Sequence, residues 1–219
     1  MLSNNVNELQ DILLTLHRHS RQDRVSIHPT KTKAVILNKT SKIPKTNLKW
    51  QLGDTEISPT NHAIHLGIIR AETRENEANI EDRISLARKT MYALMNTGLH
   101  GSNGINPSVT LRIYEAYVLP KLLYGMEVLS LNQKQLGILS KFHIDNLRKF
   151  QSLPIRTATA VIYLLIGAMP IEAEIHKRQL SFLHNILNCN NDNIRALTDR
   201  QLIMNVNNLL QSLCNSGNV

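Results

Sequence analysis

The 219-residue chain has only two cysteines, Cys189 and Cys214, and they form no CxxC pair. That leaves no disulfide framework and no thiolate cluster, so the setting is read as intracellular and reducing, with both cysteines as packing residues. No run approaches the roughly twenty uninterrupted apolar residues of a membrane-spanning helix. The opening, "MLSNNVNELQDILLTLHRH", lacks a basic region followed by an apolar block and a small-residue cleavage site. The expectation is a soluble protein with no secretory signal and no membrane partner. An opening helix that starts so abruptly also fits a chain whose N-terminal neighbours are missing.

Catalytic signatures are missing as well. There is no GxSxG, HExxH, P-loop or GxGxxG, and no Asp-Asp dipeptide. Nucleotidyl transfer needs carboxylates that hold magnesium ions against substrate phosphates. Asp54 and Glu56, the nearest alternating acidic pair, flank a predicted turn without a third partner and read as solvated turn residues. Nine histidines invite a metal reading. His17 and His19, however, are two apart on a predicted helix and face different sides, and His62 and His65 have no acidic or cysteine neighbour. Nothing here composes a complete active site.

What is present is a core and a patch. The 42% hydrophobic content is that of an ordinary globular chain, long enough for one sizeable domain or two small ones. Of the net charge of +8, the first twenty residues carry −1 and everything after Trp50 carries +2. Between Arg21 and Trp50, eight basic residues stand against Asp23 alone. Such a patch draws polyanions in a salt-dependent way, which makes nucleic acid the natural partner. A lysine run by itself reads equally as a solvated loop.

Two regimes follow along the chain. Leu9, Ile12, Leu13 and Leu16 recur at helical spacing, with Asn5 or Asn7 as cap. Short apolar runs then alternate with Pro, Gly, Asp and Asn, which is strand and turn punctuation. Within them, "VSIHPTKTKAVILN" (Val25 to Asn38) reads as a hairpin turning at Pro29-Thr30, with Lys31 and Lys33 just past the bend. The charged segment 70–79 reads as the boundary. From Asn76 the pattern is helical: Ile80, Ile84, Ala87, Met91 and Leu94 share a face, and Gly98 ends that helix. Pro107 opens the next, whose stripe is Val109, Ile113, Ala116 and Tyr117, and Pro120 breaks it. A helix over 133–151 aligns Leu136, Leu139, His143, Leu147 and Phe150. Two or three more follow, including a polar one near the C-terminus.

The order of these segments, from "NELQDILLTLHRHSRQDRVSIHPTKTKAVILN" through "LKWQLGDTEISPTNHAIHLGIIR" to "TLRIYEAYVLPKLLYGMEVLSL", resembles the C-terminal part of non-LTR (LINE-like) retrotransposon reverse transcriptases. The resemblance covers nearly the whole chain and fades after about Asn188. It implies an α+β fold: a partial palm, one helix plus a small antiparallel sheet, over 1–72, then a mostly α-helical thumb-like region over 73–219. The family's Asn-x-x-Lys-Thr reads here as His28-Pro29-Thr30-Lys31-Thr32, with histidine in the asparagine position. By resemblance Lys31 is the palm lysine near the incoming nucleotide's phosphates, an accessory catalytic residue, with Lys33 as electrostatic support. His65-Leu66-Gly67 stands where the family has Tyr-Leu-Gly and resembles the primer grip, Gly67 letting a strand approach nucleic acid closely. Arg83, Arg88 and Lys89 fall on or near the polar face of their helix, where they would track a duplex backbone.

The same resemblance implies a template–primer of RNA and DNA as partner, a missing palm-and-fingers portion as a second partner, and Mg2+ for the full-length enzyme. The metal-binding aspartates are absent from this sequence. The expectation is therefore a truncated reverse transcriptase-like protein that binds no cofactor alone and does not polymerise alone. A non-enzymatic nucleic-acid-binding module and a helical protein–protein adaptor are the alternatives.

Overall fold

Asn5 starts the first helix: its side-chain oxygen accepts the Glu8 amide at 2.7 Å, satisfying one of the donors that a helix start leaves open. The computed structural model describes residues 3, 5–28, 31–37, 48–96, 98–99 and 104–201. Helix α1 (Val6–Gln22) buries Leu13 against Trp50, Leu52 and Ile57. It lies on strand β2 (Trp50–Leu52), which pairs antiparallel with β3 (Thr55–Ile57) through a turn at Gly53. Gly53 has φ +63°, and a Cβ there would stand 2.5 Å from the His17 ring, so any other residue strains this turn and displaces that ring. Along the other edge of β2, the Gln10 side chain behaves as a strand partner. Its oxygen accepts the Gln51 amide at 2.9 Å and its nitrogen donates to the Gln51 carbonyl at 3.0 Å. Trp50 adds a bond from its ring N–H to the Val6 carbonyl at 3.1 Å.

The expected hairpin over Val25 to Asn38 does not form. Arg24 has φ +55°, its amide donates to Arg21, and the Val25 amide donates to Ser20 at 2.8 Å. This is the Schellman closure of α1, which uses the backbone that a strand would need. Ile27 then covers the core, and residues 25–28 belong to no strand. Pro29, Thr30 and Asn38 lie outside the described residues. Strand β1 (Ala34–Val35) pairs instead with β4 (Pro59–Thr60), and the pairing is parallel. The described strands thus form three separate pairs, one of them parallel, rather than one antiparallel sheet.

The third pair is a hairpin of β5 (His62–His65) and β6 (Ile68–Ala71). Its outer edge is closed by α2 (Glu75–Met95): Asn79, 2% exposed, accepts the Ile69 amide at 2.9 Å and donates to the Ile69 carbonyl at 2.7 Å. The Ala71 amide donates to Glu75 at 3.1 Å, and Arg70 pairs with the same carboxylate. Segment 70–79 thus lies within the first unit, its side chains bonded to β6. The chain divides into two compact units between Asp82 and Arg83, inside α2. The fold is α+β.

The second unit is helical. Asn106 caps α3 (Pro107–Tyr117), with Pro107 in the first turn, and the chain breaks at Val118 before the short α4 (Leu119–Leu122), as Pro120 requires. The expected α3 stripe is displaced by one position. Val109 and Tyr117 are exposed, and the buried face is Thr110, Leu111 and Tyr114, continued by Val118. Thr110 can face inward because its hydroxyl donates to the Ile105 carbonyl. A capping box of Asn132 and Gln135 opens α5 (Gln133–Phe150), which buries Leu139, His143, Leu147 and Phe150. Next come α6 (Thr159–Ile166), ended by Gly167 at φ +73°, and α7 (Ile171–Leu187). Residues 192–201 are also helical. Among the described residues no single helix is long and apolar enough to cross a membrane. The α6–α7 pair, bent by 61°, has the length, yet Ile162, Ile171 and Ile175 are buried in this unit's core.

His143 ties three elements together. Its Nε2 lies 3.1 Å from the Met169 carbonyl, which can only accept, so Nε2 carries the proton and Nδ1 accepts the Tyr114 hydroxyl at 2.9 Å. Burial lowers its pKa to about 4 against the opposing effect of the Met169 bond, and burial raises Tyr114.

Because the unfolded chain takes up a proton near pH 6.5 that the folded core refuses until about 4, stability is full above pH 6.5 and falls as pH drops toward 4. The expected loss is roughly 3 kcal/mol across that window. Urea unfolding of the helical unit, followed at pH 7.5, 6 and 5, checks it. A His143→Asn variant should be less stable at pH 7.5 and should lack most of that slope.

Candidate nucleic-acid interface

The His28 carbonyl accepts both the Lys31 amide at 3.2 Å and the Thr32 hydroxyl at 3.0 Å. This segment leads into β1, and both Lys31 and Lys33 are exposed. Lys49, from the same basic segment, is paired with Glu56 at 2.7 Å. Lys39, Lys42 and Lys45 lie outside the described residues.

His65, Leu66 and Gly67 do not run along a strand. His65 ends β5, and Leu66 and Gly67 form a two-residue turn with φ of +49° and +76°, closed by the His65–Ile68 pair. Two positive φ values are the type I′ signature that matches the twist of a hairpin. Gly67 is thus required by the turn. Leu66 occupies a left-handed position that disfavours a branched side chain, and it is 76% exposed. The register puts Lys31 and Lys33 just ahead of β1, which pairs with Pro59 and Thr60, whereas the Leu66–Gly67 turn lies at the far end of β5.

In the helical unit the three expected cations separate. Arg83 is 9% exposed, and its guanidinium lies 5.0 Å from the centre of the Tyr124 ring, a cation–π stack away from the polar face. Arg88 and Lys89 are exposed, and being adjacent on a helix they project about 100° apart. Arg88 lines a groove of about 340 Å³ between α2 and α5, together with Tyr92, Ile138, Lys141, Asp145 and Lys149. Asp145 is engaged by Arg148 at 2.8 Å. Arg88, Lys141 and Lys149 form no ion pair among the described residues, so the groove is electropositive.

Sequence reasoning missed Lys141, Lys149 and Tyr92. Lys141, Asp145 and Lys149 do share one face of α5 at four-residue spacing, and Arg88 and Tyr92 share one face of α2. They come together only because residues of α2 and α5 face one another across this groove, which neither pattern states.

No cluster of three or more His, Cys, Asp or Glu side chains is placed to hold a metal among the described residues. Glu56 is committed to Lys49, and Asp54 sits beside it in a surface turn. No family model, curated protein or solved structure matches the chain.

Replacing Leu66 with asparagine puts the preferred Asn-Gly pair into the type I′ turn. Leu66→Asn should raise the stability of the first unit by about 0.5–1 kcal/mol. The urea midpoint, read through Trp50 fluorescence, gives the sign.

Proposed function

We propose that this chain is a reverse transcriptase-like protein that binds nucleic acid and does not polymerise. The reading joins the sequence resemblance to LINE-like enzymes with one observation, the groove in which Arg88, Lys141 and Lys149 stand exposed without ion pairs among the described residues. Lys31 and Lys33 offer a second, separate pair of exposed cations in the first unit. Phosphate contacts from such side chains position a strand without reading its sequence, and they release counterions. The template–primer is the partner class, held by charge. Catalytic incompetence follows from chemistry: without the family's aspartates no carboxylate set holds metal ions against a triphosphate.

Fluorescence anisotropy with a primer–template across a salt series tests this. Affinity should fall steeply with salt, and Lys141→Gln or Lys149→Gln should reduce the log–log slope by about one each. Lys31→Ala and Lys33→Ala should weaken binding further. Flat or undetectable binding removes the reading, and primer extension above background with magnesium removes the claim of inactivity.

A second reading, a helical protein–protein adaptor, is favoured by α7. Leu180, Leu183 and Leu187 lie on its outward side at 67%, 39% and 47% exposure, a leucine stripe separate from the buried Ile171 and Ile175. Capture of one discrete protein partner, lost with Leu180→Asn and Leu187→Asn, would support it. Capture that those substitutions leave unchanged counts against a role for this stripe.

A further inference from the structure

We infer that the α2–α5 groove takes a single-stranded nucleic-acid segment, with phosphates on Arg88, Lys141 and Lys149 and a base stacked on Tyr92. This rests on the nucleic-acid reading above and adds which form of nucleic acid the groove selects. Tyr92 is 60% exposed and lines the same groove as the three cations. It stands one helical turn beyond Arg88, so ring and guanidinium are neighbours along α2. Across the groove, Lys141 and Lys149 are eight residues apart, about 12 Å along α5, and line one side with Asp145 between them. Arg148 holds Asp145, which removes the one negative charge in the groove from opposition to a phosphate.

A cationic track beside an exposed aromatic ring is the arrangement that holds single strands, because an unpaired base offers its face while its phosphate lies in the track. A duplex keeps the faces of its internal bases stacked on one another, so it would use the cations through its phosphates and leave Tyr92 without a base to stack on. At about 340 Å³ the groove falls at the small end of the range in which organic groups are enclosed, which suits a base and its sugar.

The test uses the full chain, with anisotropy of a labelled mixed-sequence single strand and of the same sequence as a blunt duplex. The single strand should bind more tightly. Tyr92→Leu should cost it roughly tenfold in affinity and leave the duplex unchanged, while Tyr92→Phe keeps both. Lys149→Gln should weaken both forms. If Tyr92→Leu leaves single-strand binding intact, or if the duplex binds more tightly, the single-strand inference is overturned while the nucleic-acid reading stands. If neither form binds the unsubstituted chain, both fail. Thermal unfolding of Tyr92→Leu at the unsubstituted midpoint confirms that a lost affinity is not a lost fold.

Discussion

Two side-chain amides acting as strand partners hold the first unit together. An isolated two-stranded pair is only marginally stable in water and exposes backbone donors and acceptors along both edges. Gln10 closes one edge of the β2–β3 pair, and Asn79 closes one edge of the β5–β6 pair, each through two hydrogen bonds to a single residue. A primary amide can do this because it carries a donor and an acceptor at the spacing of a peptide group. Each comes from a helix, so the same contact that satisfies a strand edge also anchors α1 or the start of α2. An apolar residue at either position would leave the edge to water or to another chain.

The helical unit has a different anchor. Tyr114 on α3, His143 on α5 and the Met169 carbonyl before α7 form one buried chain of hydrogen bonds. With His143 held on the inner face of α5, Lys141, Asp145 and Lys149 are turned to the outer side. Core chemistry and groove chemistry are thus two faces of one helix. Arg83 shows the reverse case, a cation of α2 drawn onto the Tyr124 ring, which leaves Arg88 to line the groove.

Features governed by neighbours in sequence were legible. The Asn5 cap, the α2 stripe of Ile80, Ala87 and Met91, the break at Pro120 and the inner face of α5 through His143 all follow from local patterning. Features governed by distant partners were not. Val25 looked like a strand residue, yet it completes the end of α1, and β1 finds its partner some 25 residues on. The α3 stripe failed because two faces one position apart carry similar apolar content, and Thr110 wins burial only through its bond to Ile105. The Leu66–Gly67 turn was hidden by its leucine, since an Asn-Gly pair would have announced the bend. Of the candidate site, Arg88 was legible as an exposed cation, whereas Lys141, Lys149 and Tyr92 became meaningful only as the lining of one groove.

Trp50 is the chain's single tryptophan, 4% exposed in the core of the first unit and bonded to Val6. Its emission therefore reports on one half of the molecule alone. The helical unit, which holds most of the helix, dominates the far-ultraviolet dichroism while staying dark in that emission. One unlabelled sample thus carries two optical channels, one confined to the first unit and one weighted toward the second.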